Sequence, residues 1–340
     1  MKAAAAGLPG KIQLVDFPDL EVGPKDVLLT TLACGVCATD LKSIAKGDEK
    51  PEYALGHEVV GRVSAAGEKS GWAIGQRAVA APYLPCGACH FCLNGQPTLC
   101  KRLFETSIYP GGMAVEVFVP GDMVTRGLIH VADELPDEQA ALAEPLGCVV
   151  KGIEDSRVRM GDSVLVIGDG PMGLMAAAVA RAYGAFPVMV AGMTPNRLEA
   201  AQKHFADVVL DVTKVDLEAE VRKHTGGRGA DVVIAVVSLG ETVMNAIRCV
   251  RPGGMVNAFA GVPDGTTIPL DVRLLHYKQI HLTGSFGTAP EHMVKALHLL
   301  EYGKVPGSAI VTASFPFEEI QEAVDYAAQR QGLKAVVTFK

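Results

Sequence analysis

Residues 163–173 read Ser-Val-Leu-Val-Ile-Gly-Asp-Gly-Pro-Met-Gly, an unbroken apolar run that stops in a glycine-rich turn. Ser163–Ile167 shows no polar alternation, so a strand built from it has both faces covered, as in a parallel sheet. Met172–Tyr183, rich in Ala, Leu and Met, follows as a helix. Gly-x-Gly-x-x-Gly is a weak signal alone, and the strand before it and the helix after it give it meaning. Glycines there let the backbone close on a pyrophosphate, whose charge meets the helix N-terminus. Gly168, Gly170, Pro171, Met172 and Gly173 are therefore expected to line a dinucleotide site.

The same texture continues. Apolar runs at 186–191, 207–210, 231–237, 254–259 and 279–283 alternate with helical stretches at 197–205, 216–224, 241–250 and 291–302. Alternation at this spacing predicts a doubly wound α/β unit over 149–284. Residues 1 to about 100 differ. Short β-type runs at 26–32, 58–63 and 76–80, broken by Gly and Pro, predict an all-β, barrel-like unit with long loops. The run Lys334–Phe339 is expected to return to that first unit, so the domains are taken as 1–148 with 285–340, and 149–284.

The bulk numbers narrow the function classes. A chain of 340 residues with 49% hydrophobic and 20% charged residues is globular in character. A net charge of -7 gives no electrostatic reason to expect nucleic acid or an anionic membrane as partner. No apolar run approaches the roughly 20 residues of a spanning helix. Pro9 and Lys11 end the N-terminal apolar stretch too early for a signal peptide, and a cytoplasmic location is expected.

Four of the eight cysteines fall in one short window as Cys86-x2-Cys89-x2-Cys92-x7-Cys100. Without a secretory signal, clustered cysteines favour metal over disulfides. Four thiolates suit a closed tetrahedral zinc site, and an iron–sulfur cluster is the rival reading. A fully coordinated ion has no vacancy for substrate, so its role is structural.

Three further segments carry ligand-type residues: Cys34-Gly-Val-Cys37-Ala-Thr-Asp40, Gly56-His57-Glu58 and Ala143-Glu144-Pro145-Leu146. Singly each is weak. Taken with the cysteine lobe and Gly168–Gly173, in this order and spacing, the chain resembles the zinc-containing medium-chain dehydrogenase/reductase family, and its polyol (sorbitol-type) branch best. The resemblance covers nearly the whole chain. It implies a GroES-like catalytic domain of β-barrel type and a Rossmann domain, with zinc favoured over iron at the lobe. It further implies a catalytic zinc on Cys37 and His57, with Glu58 and Glu144 as ligands or holders of zinc-bound water. A thiolate, an imidazole and a carboxylate leave an open position, as a Lewis-acid site requires. Simple-alcohol members commonly have Cys where this chain has Glu144. Cys148, four residues on, is expected in the core.

Thr39 stands where the family places a hydroxyl near the substrate oxygen, able to pass on a proton. Asp40 is expected behind the imidazole. The relay histidine often found five residues after the zinc-binding Cys is Lys42 here, which directs proton release through Thr39 or water. The expected reaction is of the EC 1.1.1.- type: oxidation of a secondary alcohol, with a polyol or sugar alcohol favoured, to the ketone with NAD or NADP and two zinc ions per chain. A threonine or simple secondary-alcohol dehydrogenase is the alternative, and a non-catalytic zinc- and nucleotide-binding module is the alternative from another class. The acidic residue that binds the NAD ribose at the end of the second strand is absent, Gly192 standing at its place. Thr194 and Arg197 then offer bonds and charge to a 2′-phosphate, a slight lean to NADP. Loop 41–55 carries Lys42, Lys46 and Lys50 with Asp48, Glu49 and Glu52, a mixed charge that reads as a solvated face. Phe104, Ile108, Tyr109 and Phe286 are possible pocket walls. A homo-oligomer, tetramer or dimer, is expected from the resemblance.

Overall fold

The computed structural model describes residues 1–48 and 50–340; Glu49 lies outside the described residues. The chain divides into two compact units, Met1–Gly147 with Thr288–Glu301 and Val311–Lys340, and Cys148–Gly287 with Tyr302–Ile310. The last segment departs from the expected division. Its short helix Gly307–Ile310 packs on helix Pro171–Ala182 of the second unit, with Val305 and Ile310 buried.

The first unit is built on a seven-stranded sheet. Its order is Val311–Pro316, Lys334–Thr338, Val27–Gly35, Glu58–Ala66, Arg77–Ala80 and Leu128–His130, with Glu116–Val119 paired to Val27–Gly35 off that path. The strand Lys334–Thr338 returns as the sequence predicts. It runs antiparallel to Val27–Gly35 with Val336 opposite Gly35, and on the other side Gly35 faces Glu58. This register carries three site segments into one place. The alanines of Lys2–Ala6 pack into the core, Ala3 to Ala5 being fully buried.

The second unit holds a six-stranded parallel sheet, ordered Val208–Asp211, Val188–Gly192, Val164–Ile167, Ala230–Ala235, Val250–Ala258 and His281–Gly284. This is the doubly wound order in which a nucleotide sits at the carboxyl ends of the central strands. Val164–Ile167 is buried along its length, and eight consecutive residues of helix Pro171–Ala182, Gly173 to Ala180, are buried as well. A helix apolar all round belongs inside. Among the described residues no helix is long and apolar enough to cross a membrane.

Candidate active site

Strand Val27–Gly35 ends just before Cys37, which caps helix Ala38–Lys46. Asp40, in the first turn and only 3% exposed, returns one carboxylate oxygen to the Cys37 N–H at 2.9 Å. Its other oxygen accepts from the Gly56 N–H, also at 2.9 Å. One buried carboxylate thus ties the backbone of the Cys37 segment to that of the His57 segment. The expected direct bond to the imidazole is not formed, since His57 Nδ1 stands 3.8 Å from Asp40 Oδ1. Asp40 positions His57 through the main chain instead. Gly56 has φ +84°, and a Cβ there would press on Met113 and on Cys34 Sγ, so only glycine makes this turn.

Glu58 opens the next strand, 1% exposed, and both its oxygens lie 2.6 Å from the ammonium of buried Lys334. Gly35 makes room for this pair, because a Cβ at 35 would sit 2.0 Å from Glu58 Oε2. Burial works to lower the Lys334 ammonium, but the charges of Glu58 and Cys37 prevail and raise it. The His57 ring is likewise pushed down by burial. Contact with the Cys37 side chain, then the charges of Asp40 and Glu144, hold it well above its ordinary value.

Ligand atoms of Cys37, His57 and Glu58 lie within 4.8 Å of one another. Glu144, near the start of helix Ala143–Asp155 and 6% exposed, stays outside that group, yet its charge acts on both His57 and Lys334. Thr39 is exposed, its Oγ1 3.8 Å from Cys37 Sγ. Thiolate, imidazole and carboxylate donors with a hydroxyl at the open side suit a divalent ion that keeps one position for substrate. Sequence reasoning did not single out Lys334. A lysine heading the apolar run Ala335-Val336-Val337 was the signal.

The four lobe cysteines also bring their sulfurs within 4.8 Å of one another. Cys89 and Cys92 are 3.5 Å apart, and Cys86 and Cys92 4.0 Å. Both are far beyond a disulfide bond. Four sulfurs at about 2.3 Å from one tetrahedral ion stand about 3.8 Å apart. An iron–sulfur cluster spreads its thiolates over several irons and needs them further apart. The backbone N–H groups of Ala88 and Cys89 lower the Cys86 thiol, and a backbone N–H from Arg102 reaches Cys100 Sγ at 3.4 Å. Such donors stabilise clustered thiolates.

In the second unit, Gly168 adopts φ +135°. A Cβ at Gly173 would lie 1.9 Å from the Gly168 carbonyl oxygen, whereas one at Gly170 would meet nothing. The motif is therefore closed where helix meets strand and open at Gly170. Pro171 starts the helix, and Met172 lines a cavity of about 370 Å³ with Cys148, Phe259, Ser285 and Phe286. Cys148 is a cavity wall and not the core residue expected. Of the other expected walls, Phe286 lines this cavity, Phe104 is exposed, Ile108 is buried, and Tyr109 packs edge-on against Phe17 and Tyr53. Thr194 caps helix Pro195–Ala200, whose Arg197 is buried.

Family models match both parts of the chain: an alcohol dehydrogenase GroES-like domain over residues 23–137 and a zinc-binding dehydrogenase domain over 171–302. The sorbitol dehydrogenase of Bacillus subtilis (strain 168) is 30% identical, covering 97% of this chain and 94% of its own. The erythritol/L-threitol dehydrogenase of Mycolicibacterium smegmatis is 31% identical over 96% and 94% of the two chains. Among solved structures, a zinc-binding dehydrogenase from Sinorhizobium meliloti 1021 bound to NADP superimposes with a TM-score of 0.90 at 27% identity, covering 99% of this chain and 98% of its own. With both domain models in place and relatives matched end to end, the chain belongs to the zinc-type alcohol dehydrogenases of the medium-chain dehydrogenase/reductase family and is an oxidoreductase of that class.

Proposed function

We propose that the protein oxidises a secondary alcohol of the polyol or sugar-alcohol class to the ketone, with Cys37, His57 and Glu144 holding a catalytic zinc and Cys86, Cys89, Cys92 and Cys100 a structural one. The observation that carries this is the convergence of Cys37, His57 and Glu58 within 4.8 Å, with Glu144 close enough to act on His57. Glu58 is assigned a supporting place, because both its oxygens already face Lys334 and ligation would strip that ammonium of its partner. Zinc held there would supply Lewis acidity toward an alcohol oxygen, and a nicotinamide dinucleotide would supply the hydride acceptor.

The chain's own residues do the rest. Cys37 and His57 set the position of the substrate oxygen, held in turn by Asp40 through the two backbone bonds. Thr39 accepts the alcohol proton at Oγ1 and passes it to water, since Lys42 replaces a relay histidine. Gly168 and Gly170 would let the backbone take the pyrophosphate at the start of helix Pro171–Ala182, Gly173 lets that helix close on the strand, and the cavity beside Met172 would take the nicotinamide end. The polyol class rests on the carboxylate at 144 and on the sorbitol and erythritol/L-threitol dehydrogenases among the relatives. The strand His281–Gly284 lies exposed at one edge of the parallel sheet and suits pairing with a second copy in a homo-oligomer.

Metal analysis with a substrate panel tests the assignment. Two zinc ions per chain and turnover on polyols support it. One zinc ion per chain, or turnover unchanged in Glu144→Ala, overturns the catalytic site.

A further inference from the structure

Position 192, where an acidic residue holds the NAD ribose in related sites, is glycine here. Its surroundings say why. A Cβ at Gly192 would lie 2.5 Å from both Cβ and Oδ2 of Asp169 and 2.6 Å from its Cγ. Asp169 is the first variable residue of the Gly168–Gly173 motif and is only 8% exposed. Its Oδ2 accepts from the Met193 N–H at 2.9 Å and the Thr194 N–H at 2.7 Å. Asp169, in the turn after the neighbouring strand, thus fills the space that a side chain at 192 would need.

We propose that Asp169 is the specificity-determining residue for the dinucleotide and selects NAD over NADP. This rests on the dinucleotide reading of the site given above. Two effects act together. The N–H groups of 193 and 194, which a 2′-phosphate would recruit at the strand end, are already taken by an anion of the protein itself. That anion also places negative charge where a 2′-phosphate would add its own, in a site of restricted solvent access. The proposal runs against the slight lean to NADP drawn from the bare glycine, because Asp169 brings a carboxylate to Gly192 from the neighbouring turn.

Equilibrium titration of NADH and NADPH, followed by nicotinamide fluorescence without substrate, tests the proposal. The wild-type protein is expected to bind NADH at least about tenfold more tightly. Asp169→Asn keeps an oxygen for both N–H groups while removing the charge, and should reduce that preference by about tenfold. Gly192→Asp alone should weaken both ligands through the clash, and Asp169→Gly with Gly192→Asp should recover NADH preference. Wild-type protein that binds NADPH as tightly as NADH, or a ratio unmoved in Asp169→Asn with an unchanged thermal midpoint, overturns the proposal. Binding of neither nucleotide would instead bring down the dinucleotide reading and the proposal with it.

Discussion

The ammonium of Lys334 meets the carboxylate of Glu58, 276 residues earlier in the chain, at 2.6 Å inside the core of the first unit. Both side chains are almost wholly buried, and each charge offsets the cost of burying the other. Removing one partner leaves a buried charge uncompensated. Lys334→Met is expected to lower unfolding stability by about 3–5 kcal/mol. Adding Glu58→Gln to it should restore most of the loss, whereas independent sites would add their costs. Urea denaturation of the two single variants and the double variant measures the coupling.

Asp40 bonds Cys37 and Gly56 rather than the imidazole. Asp40→Ala should therefore lower zinc affinity at the Cys37–His57 site by about 10–100-fold, by loosening both segments together. The lobe site should keep its metal. Competition with a chromophoric chelator separates the two, and equal weakening of both sites would contradict this account.

The four lobe cysteines cluster their sulfurs and are assigned the structural ion. Cys89→Ser is expected to reduce bound zinc from two ions per chain to one and to open residues 86–100 to limited proteolysis. Binding of NADH to the second unit should be unaffected, which fluorescence titration checks.

Asp231 ties two strand ends together, accepting from the Ser163 N–H at 2.8 Å, the Ser163 hydroxyl at 2.6 Å and the Arg251 guanidinium. Burial raises its carboxyl, but Ser163 and Arg251 prevail and leave it lowered in the folded protein. A lowered folded value means stability that is complete above the unfolded value, about 3.9, and lost as pH falls through the folded one. Asp231→Asn should be less stable than wild type by about 1 kcal/mol at neutral pH, allowing for screening. That gap should hold down to about pH 5 and close below about pH 4. Denaturation across a pH series reads it directly.

Much of the fold was legible because its signals are local. The unbroken apolar run Ser163–Ile167 and the glycines after it state a buried strand and a tight turn within a dozen residues. The lobe cysteines are likewise close in sequence, so their spacing alone brings four sulfurs to one point. Less was legible where a residue acts through a distant neighbour. Asp40 in sequence suggests a partner for His57, but the turn at Gly56 presents a backbone N–H first. Tyr302–Ile310 carries no periodicity that assigns it to either unit, and its placement follows from where Val305 and Ile310 find apolar cover.

By itself the sequence determined the two-unit plan, the lobe, the ligand types and the glycine turn, since covalent spacing and hydrophobic period carry that information without reference to anything far away. Only the tertiary structure decided what the register brings together. Gly35 lies between Glu58 and Val336 on neighbouring strands, and that pairing seats Lys334 against Glu58. Two adjacent parallel strands likewise bring Asp169, in the turn after one, against Gly192 at the end of the other. Strand pairing is a long-range choice settled by the packing of the whole sheet, so no local stretch of the chain records it.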